Sequence, residues 1–381
     1  MKILQVIPYF TPSRGGDVNV CYNLSKQLVK HGHEVTVITT DFEFDEGYAQ
    51  TLEKIGAKVI PFHCIANIKL FLISPGMKKW IKSNVRDFDM IHLHDLRSYQ
   101  NNIVCSYAMK YEIPYVLHPH GSTPRILAKQ GLKWLYDIAF GYRLLKDAGQ
   151  VIAVSKEEAN YDRQMGADER KISVIYNGVD IEHFKNAPSH GRFKQKYGID
   201  GKLILYLGRI HKTKGIDFAI KAFSNIHTKI EQTTFVVAGA DDGYKAKLEN
   251  LVRELNLGER IKFVGALNEN DKLSAYADAD LFLYTVRYMG GVGIAPLEAI
   301  LCDTPVIVTA ECGEVIKEAD CGYLVEYGDL VDLTQKMKGA IESPEAAMKM
   351  VERGKKYIMD NLTWDNVVNR IEDIYSKLTV S

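Results

Sequence analysis

Leu203-Ile204-Leu205-Tyr206-Leu207-Gly208-Arg209-Ile210-His211-Lys212-Thr213-Lys214-Gly215 passes from an unbroken apolar run into a loop of glycines and cations. A strand with no polar face must be covered on both sides, as strands of parallel sheets are. After it, Thr234 to Ala238, Ile261 to Val264, Leu281 to Tyr284 and Pro305 to Val308 repeat the pattern with helical stretches between them. Before it, Lys2 to Pro8, Glu34 to Thr39, Lys58 to Pro61, Met90 to Leu93, Tyr115 to His118 and Gln150 to Val154 form an earlier series, separated by helical stretches such as Val18 to His31. Strands alternating with helices in this way indicate an α/β fold of two doubly wound, Rossmann-like domains. The turn Asn177-Gly178-Val179-Asp180 and the polar stretch Lys185 to Asp200 set the expected boundary, with domains at 1–184 and 185–360. In 361–381 the stripe Val367, Ile371, Ile374, Tyr375 and Leu378 has helical spacing.

Composition narrows the class. A chain of 381 residues exceeds what one hydrophobic core usually serves, and 46% hydrophobic with 25% charged residues is ordinary for a globular protein. The 48 basic residues balance the 48 acidic ones, so no overall field attracts nucleic acid. Six cysteines without paired spacing read as reduced core thiols of an intracellular protein, and neither a metal nor a cofactor is expected. No stretch approaches the roughly 20 apolar residues of a membrane helix. The expected location is cytoplasmic, with peripheral contact at the inner membrane face as a further expectation.

Ligands of open parallel sheets bind beyond the carboxyl ends of the strands, and two such sheets facing each other are expected to form a cleft. After the first strand, Gly15 and Gly16 precede a helix; the pair reads as a turn or as backbone amides open to an anion. His118-Pro119-His120-Gly121-Ser122 follows another strand, and His120 reads as a loop histidine or as a polar contact to substrate. Arg209 can hold two phosphate oxygens and Lys214 adds a compact charge, so the pair suits a diphosphate, although a solvated basic loop is the ordinary alternative. Asp241-Asp242-Gly243 reads as a turn rather than a cation site. The small residues of Val264-Gly265-Ala266-Leu267 fit a flat base or simple core packing.

Gly290-Gly291-Val292-Gly293-Ile294-Ala295-Pro296-Leu297-Glu298-Ala299-Ile300 is a glycine loop leading into an apolar helix with one carboxylate. Pro296 suits a first helical position, which puts Glu298 in the first turn, where free amides and the helix dipole favour an anion. Its neighbours Ile294, Ala295, Leu301 and Cys302 are apolar, so Glu298 is expected on the buried face. An unpaired buried carboxylate is unfavourable. Either the dipole alone holds it, or it accepts from paired hydroxyls such as those of a ribose.

Taken together these loops resemble the group 1 family of retaining, nucleotide-sugar-dependent glycosyltransferases with the GT-B architecture. The resemblance rests on Gly15-Gly16, Gly32-His33-Glu34-Val35, Asp89-Met90-Ile91-His92-Leu93-His94, Ala153-Val154-Ser155, Tyr176-Asn177-Gly178-Val179-Asp180, Gly208-Arg209 with Lys214-Gly215, Phe263-Val264-Gly265 and Pro296-Leu297-Glu298-Ala299. It implies that Gly15 and Gly16 meet the diphosphate, that Arg209 and Lys214 clamp it, and that Glu298 accepts from the ribose. It also implies that His120 contacts the donor sugar, that Val264, Gly265 and Leu267 take the base, and that the last helix crosses back onto the first domain. The family usually has a second Glu eight positions before the ribose-binding one, and Gly290 stands there, which leaves Gly291, Val292 and Gly293 as candidate backbone donors. The implied reaction is metal-independent transfer of a hexose from a nucleoside-diphosphate sugar to a glycan or lipid-linked acceptor. A nucleotide-sugar epimerase and a catalytically silent binding protein are the alternatives.

The acceptor side is less determined. Arg125 to Lys146 mixes Ile126, Leu127, Leu132, Trp134, Leu135, Tyr136, Ile138 and Phe140 with Lys129, Lys133, Arg143 and Lys146. An ordinary amphipathic helix with a buried stripe is the first reading. A face lying on an anionic membrane is the second.

Overall fold

The computed structural model of the chain describes residues 1–68, 71–125, 130–184, 190–230, 232–287 and 293–380. They fall into two units, Met1–Gly178 with Trp364–Ser381, and Val179–Thr363.

The strands of the first unit are β1 (Lys2–Val6), β2 (Glu34–Thr40), β3 (Lys58–Phe62), β4 (Ala66–Ile68), β5 (Phe71–Ile73), β6 (Met90–His94), β7 (Tyr115–His118), β8 (Gln150–Ala153) and β9 (Ile172–Val174). Seven of them form one sheet in the order β3-β2-β1-β6-β7-β8-β9, parallel throughout, while β4 and β5 make a separate antiparallel pair. Side chains alternate between the two faces of a strand. Leu4, Val6, Ile91 and Leu93 pack with Met77, Ile81 and Val104 on one face. On the other, Ile3 and Ile7 pack with Val18, Leu24 and Leu28 of the helix Gly16–Lys30, and with Trp364, Val367, Ile371 and Tyr375 of the terminal helix Trp364–Thr379. Fully burying one such side chain is worth about 1.5–3 kcal/mol. The terminal helix therefore contributes on the order of 10 kcal/mol, comparable with the net stability of a whole domain.

The second unit holds β10 (Lys202–Leu207), β11 (Thr233–Ala238), β12 (Ile261–Gly265), β13 (Leu281–Tyr284), β14 (Val306–Thr309) and β15 (Tyr323–Val325), in the parallel order β12-β11-β10-β13-β14-β15. Every strand expected from the apolar runs is present. The sequence reading missed β4, β5, β9 and β15. Each has only three residues, and β9 is half-buried along its whole length, so none stands out as an apolar run. In the polar stretch after the boundary, Phe193 is buried within the helix Arg192–Tyr197; residues 185–189 lie outside the described ones. No helix among the described residues is long and apolar enough to cross a membrane.

Candidate functional site

Each sheet reverses its strand order once, between β1 and β6 and between β10 and β13. At such switch points the connecting segments diverge to opposite faces and leave a crevice for a ligand. Gly15, Gly16, Arg209, Lys214, Gly293 and Glu298 follow strands at these points, whereas His120 follows β7 and Val264, Gly265 and Leu267 stand at the end of β12.

In the first unit the helix Gly16–Lys30 starts directly after Gly15, whose φ of 130° is closed to other residues. No side chain caps this helix, and a side chain at Gly16 would meet nothing within 4 Å. The Asp17 carboxylate accepts from the Asp17 and Val18 amides, which leaves the Gly16 amide open to an anion. Asp17, in the first turn, accepts from the Tyr9 hydroxyl at 3.1 Å. Burial raises both Asp17 and the neighbouring Asp95, and each carboxyl acts on the other.

His120 follows β7 with a positive φ of 55°. It belongs to a cluster that the sequence reading did not assemble. His92 and His94 lie two apart on β6, so both project from one face, and His94 is in register with His118 on β7. His118 stacks on His120 with ring centroids 3.8 Å apart. Burial lowers all four, with neighbouring imidazoles adding to it at His94, His118 and His120; His92 and His120 come down to about 3. They are neutral at physiological pH. Nitrogens of His92, His94 and His118 lie within 4.8 Å of one another, a spacing open to a metal ion. Yet His92 is bonded to the Tyr375 hydroxyl and His118, and His94 to His120 and Gln5, so these rings form a hydrogen-bond chain rather than a free ligand set. The signal was available in the sequence: two histidines at i and i+2 in one apolar strand, and two more at the end of the next. The loop after His120 is fastened by the helix Lys156–Gln164, where Glu158 accepts from the Gly121 amide and Asp162 from the Thr123 hydroxyl.

In the second unit Arg209 follows β10 and pairs with Asp242 at 2.9 Å, its side chain largely exposed. Asp241 accepts from the amides of Tyr244 and Lys245 and closes the turn. Lys214 is half-buried, and desolvation lowers its pKa, with the nearby Arg209 charge pushing the same way. No carboxylate among the described residues lies within ion-pairing distance of it; its ammonium sits 5.7 Å from the ring centre of Tyr284. Gly215 has φ 63°, and a side chain there would come within 1.8 Å of the Thr285 carbonyl. The next helix, Ile216–Ser224, begins at this glycine without a side-chain cap. Gly293 packs against the same Tyr284 ring and likewise opens an uncapped helix. Val264, Gly265 and Leu267 are half-buried at the end of β12, where the Gly265 carbonyl accepts from Gly239 at 2.8 Å.

Glu298 differs from expectation in two ways. The helix begins at Ile294, so Pro296 is its third residue and Glu298 lies beyond the first turn. Proline is compatible there because the first amides of a helix have no partner in any case. The carboxylate is also not unpaired: it receives the Tyr276 hydroxyl at 2.9 Å and the Lys272 ammonium at 3.3 Å, both from the helix Glu269–Asp278. These two donors occupy one lone pair on each oxygen and leave the other available to a diol. Gly291 and Val292, with Tyr288 and Gly290, lie outside the described residues.

The stripe expected to be core on the segment 130–147 is not buried. Asp137, Gly141, Leu144 and Leu145 face inward instead, with Asp137 held by Arg97 and Arg125 at 2.8 and 2.7 Å. Leu132, Trp134, Leu135, Ile138 and Phe140 are consequently exposed. Ile126, Leu127 and Lys129 lie outside the described residues.

Residues 190–357 match the family model "Glycosyl transferases group 1" and residues 14–183 match "Glycosyltransferase Family 4". N-acetyl-alpha-D-glucosaminyl L-malate synthase of Bacillus anthracis is 26% identical, over 96% of this chain and 94% of that protein. The GDP-mannose-dependent alpha-(1-6)-phosphatidylinositol monomannoside mannosyltransferase of Mycolicibacterium smegmatis is 22% identical over 98% of each chain. The crystal structure of HepE from Anabaena in complex with UDP-glucose superposes with a TM-score of 0.79 at 21% identity, covering 99% of this chain and all of that one.

Proposed function

The chain belongs to the group 1 glycosyltransferases with the GT-B fold, and from that premise we propose that it transfers a hexose from a nucleoside-diphosphate sugar to a glycan or lipid-linked acceptor, with retention at the anomeric carbon. The observation that carries this reading is Lys214, a half-buried cation with no carboxylate partner among the described residues, beside Arg209 and two uncapped helix starts. Such a place is built for an anion that is absent when the site is empty. Glu298 takes the ribose hydroxyls, Val264, Gly265 and Leu267 take the base, Gly15 and Gly16 offer amides to the diphosphate, and His120 contacts the donor sugar. The similar mannosyltransferase of Mycolicibacterium smegmatis is GDP-mannose-dependent and the similar HepE structure holds UDP-glucose, both nucleoside-diphosphate hexoses.

As the glycosidic bond to the diphosphate stretches, negative charge grows on the leaving group. Fixed cations in a partly desolvated site stabilise that charge without reorganising. A leaving-phosphate oxygen takes the acceptor proton, so no protein base is required. Arg209 and Lys214 supply the counter-charge, and turnover is expected to be unaffected by EDTA. Incubation with UDP-, GDP- and ADP-hexoses, with and without acceptors, tests the whole reading. Transfer to an acceptor supports it. A new nucleotide sugar formed without acceptor would indicate an epimerase, and protection against unfolding with no turnover a silent binder.

For the acceptor we propose peripheral membrane contact through the exposed face of residues 130–147. Beside it an open groove of about 570 Å³ is lined by Phe71, Tyr99, Tyr107 and Phe140, with Lys78 and Lys110 among its walls. Apolar surface with cations suits an anionic lipid. Sedimentation with phosphatidylglycerol vesicles at low salt, but not with phosphatidylcholine vesicles, is the expected result, and a Trp134→Ser, Leu135→Ser chain should stay in solution.

A further inference from the structure

Phe282 and Tyr284 stand two apart on β13 and so project from one face of the sheet. Their rings stack with centroids 6.4 Å apart, and the Tyr276 ring packs edge-on against Phe282 at 5.5 Å. Tyr276 is the side chain that donates its hydroxyl to Glu298. A row of three rings thus runs from Glu298 at one end to Lys214 at the other, where the ammonium lies over the Tyr284 ring, 5.7 Å from its centre.

Lysine carries its charge on a flexible four-carbon stem. Lys214 has no carboxylate partner among the described residues to fix it, burial disfavours its charge, and the Arg209 charge repels it. An ammonium so placed tends to swing toward water and away from the site. The face of an aromatic ring attracts a cation within about 6 Å, more strongly where water is excluded. This attraction orients the charge without making good its lost water, since the pKa of Lys214 stays lowered. A carboxylate in the same place would neutralise the ammonium and repel a diphosphate; the ring does neither. Burial raises the pKa of the Tyr284 phenol itself, so it brings no competing negative charge.

The ring has little room to move. A side-chain carbon at Gly293 would come within 2.5 Å of Tyr284 Cε1, so the backbone that opens the helix Ile294–Leu301 rests against one part of the phenol while Phe282 stacks on another.

We propose that Tyr284 is a positioning residue for the donor site, whose ring holds the Lys214 ammonium where the diphosphate binds and leaves its charge free for the phosphate oxygens. This rests on the assignment of Lys214 to the diphosphate made above.

Two measurements test it. In the ligand-free full chain with 13Cε-labelled lysine, protons beside the face of a ring are shifted upfield by its ring current, and the Lys214 signal is identified by its loss in Lys214→Ala. An upfield-shifted Lys214 signal is expected in the native chain and in Tyr284→Phe, and a position among the other lysines in Tyr284→Leu. A native Lys214 signal among the other lysines overturns the proposal, whether or not Tyr284→Leu folds. The second measurement is a double-mutant cycle on kcat/KM for the hexose donor that supports turnover. Tyr284→Leu is expected to lose about tenfold, the scale of one desolvated cation–π contact, while Tyr284→Phe keeps most of the native value. In the Lys214→Ala chain, Tyr284→Leu should cost almost nothing more. An equal loss in both backgrounds would make the ring mere packing and overturn the proposal. A Tyr284→Phe chain as poor as Tyr284→Leu would overturn it too, by moving the role to the hydroxyl. A protein that turns over no donor sinks the proposed reaction, and the lysine signal still decides the contact.

Discussion

Lys214 shows how a single residue can be read from its surroundings. A lysine beside Arg209, with desolvation lowering its pKa, is held in an unfavourable state until an anion arrives. Lys214→Ala is expected to reduce kcat by about 10²–10³, the scale for loss of one preorganised donor at a developing negative charge. Its melting temperature should not fall, because the substitution relieves a charge rather than a contact. A variant with native turnover would contradict the clamp. Arg209 and Lys214 were legible in the sequence because a strand end fixes where a loop residue stands. The partners of Glu298 were not. Lys272 and Tyr276 come from a helix more than 20 residues earlier, and nothing local to Glu298 announces them. Gln5 was equally silent, as one polar residue in an apolar strand acquires meaning only from the rings across the sheet.

At the scale of elements, the helix starts divide into two kinds. Helices beginning at Glu46, Tyr99, Lys156, Glu269 and Leu330 are capped by the side chains of Asp45, Ser98, Ser155, Asn268 and Asp329. Those following Gly15, Gly215 and Gly293 have no such cap and stand beside candidate residues, although the helices after Ser74, Gly191, Tyr244, Gly313 and Ser343 lack one too. Residue type alone does not mark the difference, since Ser74 and Ser343 also precede helices and cap neither. Gly215→Ala should destabilise the second unit by more than about 2 kcal/mol, since the added carbon forces a backbone shift at a position that also needs positive φ. A thermal melt of the variant checks this. Trp364→Ala should lower the stability of the first unit by about 3–5 kcal/mol, read by urea denaturation, because the indole fills the core next to Gly178. The strands were legible where runs were long and apolar. That legibility failed at the edges, where β9 and β15 are too short to bury both faces.

The molecule as a whole should respond to pH through its first unit. Burial pushes Glu158 up to about 8 and Asp162 up to about 7, the charge of Asp162 adding to the former. Unfolded carboxyls titrate near 4. Between about pH 4 and pH 8 the native state keeps protons that the unfolded chain releases, so stability falls as pH rises across that window, by up to about 1.4 kcal/mol per proton per pH unit. His31, raised by its bonds to Glu372 and Asp365, acts in the same direction: its contribution is complete below its unfolded value and is lost as pH passes the folded one. Asp162→Asn removes one of these protons and relieves Glu158, so its urea midpoint should vary less between pH 5.5 and pH 8 than that of the native chain. An unchanged slope would show that the pair does not govern this behaviour.

Because residues 364–381 complete the first unit, everything from Val179 to Thr363 is threaded between two parts of one core. During synthesis the later unit can finish before the earlier one, which must wait, with the groove for Trp364 and Tyr375 open, until residues 364–379 have left the ribosome. A nonsense mutation near residue 360 would then spare the unit it adjoins and unravel the one made first, along with the support it gives to His92.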